Sequence, residues 1–425
     1  MDQRAKKRRN LLQNIAIVLL TASAVTLFVQ TQLYNLRTGT GYLSGLFPTG
    51  SVQKTQNVSG LTDLAMPVRV AVTGAYGRWA DLSLTTVSED FAQPRNLLME
   101  ALGSAGAIKD CGADDFRSAL RVSADYGGSV YYDFDSALPL SLLAGLVGAG
   151  WNGGDLSARR VLLQAEGSTV QLFLWDGGSA CFVCPTALTA ESLREVVAEY
   201  QLGSAWFAFD QPENYSHVAP FSLFSDQLDP PPNLSVTSAV TDSSALMLAL
   251  SFNPHTNSRY SESSGAEVVV EGDRTLSIRS DGEVSYQGSS GTLSIASAGE
   301  TPTEAEVVVG AYQLLSQLLP AQSSAELFLQ SYQSDGVSTT LRFGYQYNGL
   351  PIRFTDGGAA AEVTLESSAV TRLSLRLRQY TAGESAGTLL PLAQALSIAR
   401  SYPGKELAVY YVDSGSTAAA QWLVE

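Results

Sequence analysis

The residues of this 425-residue chain that come nearest to a known chemistry are Cys181-Phe182-Val183-Cys184, followed by Pro185. A C-x-x-C pair exchanges disulfides when it sits on the first turn of a helix, where the helix dipole favours thiolate. Here the pair lies in an apolar, strand-like stretch, and Pro185 to Thr189 intervene before the next helical pattern. Packing or a local disulfide is therefore the expected role, ahead of thiol redox chemistry and of half a zinc site. Cys111 is expected to be a buried or unpaired thiol.

Gly383-Glu384-Ser385-Ala386-Gly387 spells G-x-S-x-G between a strand pattern and a helix pattern, the context of a nucleophile elbow. A serine nucleophile needs a base, and the hydrolase chain order puts that histidine after the serine. No histidine follows His255. A flexible Gly/Ser loop is the expected reading. Gly148, Gly150 and Gly153 fit G-x-G-x-x-G but follow a helix and precede a strand, the reverse of a dinucleotide-binding turn. No P-loop or EF-hand pattern occurs. His217 and His255 have no carboxylate at ligand spacing and are expected to be structural. Glycosidase carboxylates are paired in space rather than in sequence, and nothing singles out a pair. No catalytic, cofactor-binding or metal residue is assigned, and no enzymatic activity or cofactor is expected.

Composition agrees with that restraint. The chain has 26 Lys+Arg against 41 Asp+Glu, a net charge of −15. Five of those basic residues stand within the first ten positions, which leaves 21 basic and 40 acidic residues beyond them, a net of −19. So acidic a body repels the phosphate backbone, so nucleic acid is not an expected partner. An apolar content of 45% supplies at least one large core.

The basic residues Arg4 to Arg9 precede an uncharged, largely apolar run ending at Leu36. About 1.5 Å per helical residue makes this run long enough to cross roughly 30 Å of hydrocarbon. The sequence therefore predicts a basic cytoplasmic tail over 1–10 and a transmembrane signal anchor over 11–36, with the bulk of the chain extracytoplasmic by the positive-inside rule. A cleaved signal peptide with Ala22-Ser23-Ala24 as its site is the alternative. Sequons at Asn57, Asn214 and Asn233 arise easily in a Ser-rich chain.

A spacer is expected over 37–60, a mixed α/β domain over 61–232 closed by Asp229-Pro230-Pro231-Pro232, a central domain over 233–298, and a C-terminal domain over 299–425. The first of these domains reads as short strands near Val68 to Val72, Val130 to Phe134, Arg160 to Gln164, Thr169 to Trp175 and Cys181. Its helices are expected over Pro94 to Gly103, Leu138 to Leu146 and Thr189 to Tyr200. Beyond the prolines, Ala245 to Phe252 reads as a short helix. Strands are expected over Ala266 to Glu271, Thr275 to Arg279, Glu283 to Gln287 and Thr292 to Ala296, and Pro302 to Leu319 is amphipathic. A meander over Glu326 to Tyr380, a helix over Thr388 to Arg400, and closing strands over Glu406 to Val412 and Ala419 to Val424 complete the pattern. The expected fold class is α+β, with a single N-terminal transmembrane helix and antiparallel sheets that carry their helices on one face.

Several stretches together resemble one family. They are Tyr132-Asp133-Phe134 with Pro139-Leu140-Ser141-Leu142-Leu143, Ser251-Phe252-Asn253-Pro254, and Arg274 to Ile278 running into Asp281 to Tyr286. Tyr347-Asn348-Gly349-Leu350-Pro351-Ile352, Glu406 to Tyr411 and Gln421 to Val424 follow in order. This series resembles the YycH/YycI family, accessory regulators of a cell-wall two-component system in Gram-positive bacteria, and its YycH branch in particular. The resemblance implies regulation without catalysis, exerted on a WalK-type sensor histidine kinase in company with a YycI-like single-span partner, through both the membrane and the extracytoplasmic contacts. A tethered binding module or peptidase inhibitor using a sheet edge is the alternative, followed by a thiol oxidoreductase at Cys181 and Cys184.

Overall fold

The computed structural model describes residues 64, 66–85, 88–238, 243–253, 255, 257–289, 293–296, 301–320, 323–383 and 387–425. Near the N-terminal end of these, seven strands form a sheet, its central members buried almost residue by residue and in need of cover on both sides. They are β1 (Arg69–Gly74), β2 (Gly77–Asp81), β3 (Lys109–Cys111), β4 (Ser129–Pro139), β5 (Ser157–Glu166), β6 (Thr169–Trp175) and β7 (Cys181–Thr189), in spatial order β2-β1-β4-β5-β6-β7-β3. Neighbours are antiparallel throughout. Val70, Val72, Val130, Tyr132, Val161 and Leu163 pack with α1 (Glu89–Gly103), α3 (Leu140–Leu146) and α4 (Ala190–Ala198). The alternate residues Ala71, Tyr131 and Leu162 pack with Phe116 and Leu120 of α2 (Ala113–Tyr126) and with Phe207, Phe209 and Phe221. The expectation of helices on one face is thus corrected for this sheet. Where both residue parities are apolar, both faces are covered.

Helix α1 starts earlier than its sequence suggests and holds Pro94 in its interior. Proline cannot donate to the carbonyl four residues back. That carbonyl, Asp90 O, accepts from the Tyr200 hydroxyl instead, while Pro94 O accepts from Tyr132 Oη at 2.6 Å.

After the pair β8 (Ala205–Phe207) and β9 (Leu223–Ser225), with the short α5 (Pro212–Tyr215) between them, comes a thirteen-stranded sheet. Its strands are β10 (Leu234–Ser238), β11 (Ser258–Ser261), β12 (Glu267–Glu271), β13 (Arg274–Ile278), β14 (Glu283–Gln287), β15 (Glu326–Ser334), β16 (Ser338–Tyr347), β17 (Leu350–Phe354), β18 (Ala361–Glu366), β19 (Ala369–Arg376), β20 (Arg378–Ala382), β21 (Leu407–Asp413) and β22 (Thr417–Val424). The path runs β11-β12-β13-β14-β19-β18-β16-β17-β21-β22-β10-β20, with β15 also on β16. Only β17 and β21 pair in parallel among these strands. One face of the sheet packs on α6 (Ser243–Ala249) and α7 (Glu304–Leu318), and α8 (Leu392–Ala399) lies near the C-terminal strands. Thr303 caps α7 by accepting from Glu306 N at 3.3 Å, while the Glu306 carboxylate accepts from Thr303 N at 2.9 Å. Val308, Ala311 and Leu315 enter the same apolar core as Leu276, Val284, Tyr286 and Leu373. The strand expected over Thr292 to Ala296 reduces to an isolated bridge, Ser294 with Ala369, and α8 begins only at Leu392, after Pro391.

One apolar core runs through both sheets. The tip of the β16–β17 hairpin, Asn348-Gly349, has φ of 45° and 77°, as a two-residue turn of this hand requires. A Cβ at Gly349 would fall on the Ser83 and Leu84 carbonyls, so the tip seats against the chain leaving β2.

The expected membrane anchor needs correction. Among the described residues no helix is long and apolar enough to cross a membrane, the longest helices having 15 residues. Residues 11–36, where the sequence places the span, lie outside the described residues. The transmembrane part of the fold class, the single-pass membrane location and regulation through transmembrane contacts are set aside with it.

Candidate functional site

The face of the second sheet away from α7 is built by alternation. In β19, Leu373 and Leu375 enter the core while Arg372 and Ser374 point out. β13, β14 and β18 alternate the same way, as does β16 from Leu341 to Phe343. Register then lines the outward residues into cross-strand rows. One row reads Thr340, Thr364, Arg372, Gln287, Thr275. The next reads Arg342, Glu362, Ser374, Ser285, Ser277. Strands about 4.8 Å apart bring each pair within side-chain reach.

These rows floor two adjoining grooves. One, of about 480 Å³, is lined by Thr275, Ser285, Gln287, Thr364 and Arg372. The other, of about 200 Å³, is lined by Arg342, Gly357, Gly358 and Arg376, and both include Glu362 and Ser374. Most charges here are paired. Arg342 meets Glu362 at 2.7 Å, and Arg279 meets Glu283 at 3.0 Å. Arg376 donates twice to Asp356, at 3.0 and 2.7 Å. Those two bonds hold the Asp356 carboxyl down at about 2. Arg372, between Gln287 and Thr364, has no ion-pair partner among the described residues.

The other concentration of charge is buried. Glu406 accepts from Arg69 at 2.8 Å, Arg159 at 2.6 Å and Arg160 at 2.8 Å. Arg69 also donates to Asp133 at 2.9 Å and to Tyr410 Oη at 2.7 Å. Burial alone would raise the Glu406 carboxyl, but Arg160, Arg159 and Arg69 together bring it down to about 2. Asp133 is pushed up by burial, against the pull of Arg159, Arg160 and Arg69. Arg160 lies over the adjoining rings of Trp175 and Phe221, 5.0 and 5.1 Å from their centroids. Arg353 covers Tyr410 at 4.3 Å and pairs with Asp135 and Glu425. Neither groove includes these residues. The cluster ties β1, β4 and β5 to β17 and β21.

No protein-family model matches this chain, and no curated protein or solved structure matches it either.

The residues singled out by sequence scatter. Cys181 bonds Cys111, linking β7 to β3, and Cys184 is buried and free. Cys181 belongs to the core on the α2 side and Cys184 to the core on the other, so the two thiol positions face apart across the sheet. This corrects the expectation for Cys111 and separates the two thiol positions of the C-x-x-C pair. Gly383 and Gly387 are described, but Ser385 lies outside the described residues. Gly148, Gly150 and Gly153 lie in the segment between α3 and β5. The half-buried His217 has Nε2 2.9 Å from Leu396 O, and His255 is exposed beyond α6. Asn214 is exposed in α5, Asn233 precedes β10, and Asn57 lies outside the described residues. Pro351 is the second residue of β17, Tyr410 is buried in the ionic cluster, and Trp422 donates to Leu390 O at 2.9 Å. Among the described residues, no group of three or more His, Cys, Asp or Glu is placed to hold a metal. The sheet edge at β11 is exposed along all four residues.

Sequence reasoning missed the polar rows and the ionic cluster. The signal for the rows was present as Arg372, Ser374 and Arg376 alternating with Leu373 and Leu375, but the register that joins them was not.

Proposed function

We propose that the protein is a regulatory binding module that acts by contact with another protein through the open face of its second sheet, with no reaction of its own. The observation that supports this most directly is the row structure of that face. Five neighbouring strands present hydroxyl, amide and ion-paired side chains in register, with no buried acid or base facing the grooves. The resemblance to the YycH/YycI family supplies the partner class, a WalK-type sensor kinase with its YycI-like companion. A module that binds one kinase state more tightly than another shifts the kinase between them by that difference in affinity.

Calorimetric titration of the purified chain with the sensor domain of a WalK-type kinase tests the reading. Ser285→Tyr with Ser374→Tyr, both exposed, fills the groove with neutral bulk and is expected to abolish association while the unfolding midpoint stays unchanged. Association that persists undiminished in the double variant overturns it.

A further inference from the structure

We infer that Arg372 is a carboxylate-recognition residue, and that the segment received by the open face is an extended peptide presenting an aspartate or glutamate side chain to it. The inference rests on the reading of this face as a protein-binding surface and names the chemistry of what binds.

The other arginines of the two grooves already hold a carboxylate, Arg342 that of Glu362 and Arg376 that of Asp356. Arg372 stands between neutral neighbours, Gln287 on β14 and Thr364 on β18. Its guanidinium is exposed in the larger groove and can meet a carboxylate through two parallel hydrogen bonds. The Gln287 amide and the hydroxyls of Thr275, Thr364, Ser285 and Ser374 supply further donors and acceptors of the kind that read a peptide backbone. A single unpaired positive charge matches a single negative one. A doubly charged phosphate would instead face Glu362 in the adjoining row and Glu283 in the smaller groove. An open, shallow groove with one ion pair holds a free small anion poorly, because water competes on every side. A peptide adds backbone hydrogen bonds along the rows, and those contacts make the site selective. The chain as a whole carries a net charge of −15, so an acidic segment is repelled by most of its surface and drawn to an arginine that has no ion-pair partner among the described residues.

The test uses the full chain, titrated by NMR with acetyl-Ser-Gly-Glu-Gly-Ser-amide, with its Gln counterpart, with acetate and with inorganic phosphate. The Glu peptide is expected to bind about tenfold more tightly than the Gln peptide, the ratio for one charge-assisted hydrogen-bonded pair. Shifts are expected on β14, β18 and β19. Arg372→Gln is expected to erase the preference and Arg372→Lys to keep part of it. Equal binding of the two peptides, an undiminished preference in Arg372→Gln, or tighter binding of phosphate or acetate than of the Glu peptide overturns the inference. If Ser285→Tyr with Ser374→Tyr blocks the kinase domain but Arg372→Gln does not, carboxylate recognition fails while the binding face stands. If neither change affects the kinase domain, the binding-face reading fails, and the peptide preference is judged on the Glu and Gln titrations alone.

Discussion

Two arginine-rich places in this protein use the same side chain in opposite ways. In the buried cluster three arginines converge on Glu406, and each guanidinium has a fixed partner. On the open sheet face Arg372 is exposed, and its neighbours are neutral. A charge removed from water must be compensated inside the fold, whereas a charge left in water is free to be compensated by something else. The contrast separates residues that hold the structure together from residues available for recognition, and it can be tested from both ends.

The largest effect is expected at the buried end. Glu406→Ala leaves Arg69, Arg159 and Arg160 without their shared acceptor and is expected to cost about 3–5 kcal/mol in urea unfolding. An effect below 1 kcal/mol would mean that the cluster is already solvated, and the contrast would collapse. Next in size is the Cys111–Cys181 bond, which spans 70 residues. Cys111→Ser is expected to lower stability by about 2–4 kcal/mol, and the wild type should lose a similar amount when reduced.

Acid gives a graded version of the same comparison. Glu406 titrates at about 2 in the folded chain against 4.5 for an unperturbed glutamate. The folded state therefore binds fewer protons, so this stabilisation is complete above pH 4.5 and is lost as pH falls toward 2. Asp133, raised by burial, works in the other direction, losing stability as pH rises from 3.8 through its folded value. The urea midpoint of the wild type is expected to fall between pH 4.5 and 2, and that of Glu406→Gln to fall less over the same interval. Parallel slopes would assign the acid sensitivity to other carboxylates. At the small end, Arg342→Gln breaks an exposed pair and is expected to change stability by at most about 1 kcal/mol. Arg372→Gln is expected to stay within about 0.5 kcal/mol of wild type.

Much of the secondary structure could be read locally. Thr303 and Glu306 announce the start of α7, and its apolar spacing gives the buried face. Ser280-Asp281-Gly282 marks the turn between β13 and β14, where Gly282 takes a φ of 89°. These signals lie within a few residues of what they specify. The candidate site does not share that property. Arg372 gains its neighbour Gln287 across 85 positions, and Arg69 meets Glu406 across 337. Neither strand pattern states which strand lies beside it, so the rows become visible only once the chain is folded. Pro94 misled for a related reason. A proline argues for a helix start, and only the Tyr200 hydroxyl, supplied from beyond α4, lets α1 continue through it. β1 reads as an alternating strand, Val68, Val70 and Val72, because Arg69 and Thr73 interrupt its apolar run, and the cover that buries its other parity comes from α2 and from Phe207, Phe209 and Phe221, far along the chain.

The hairpin tip at Asn348-Gly349 carries a consequence for how signals could travel. Because no side chain fits between Gly349 and the carbonyls of Ser83 and Leu84, the contact is backbone against backbone, with no compliant methyl or methylene to absorb displacement. A shift of β16, which carries Thr340 and Arg342 at one end and leads to this tip at the other, would therefore press on the segment that leaves β2. An alanine at position 349 would act as a wedge, and the first amides to lose hydrogen-exchange protection should be those of β2.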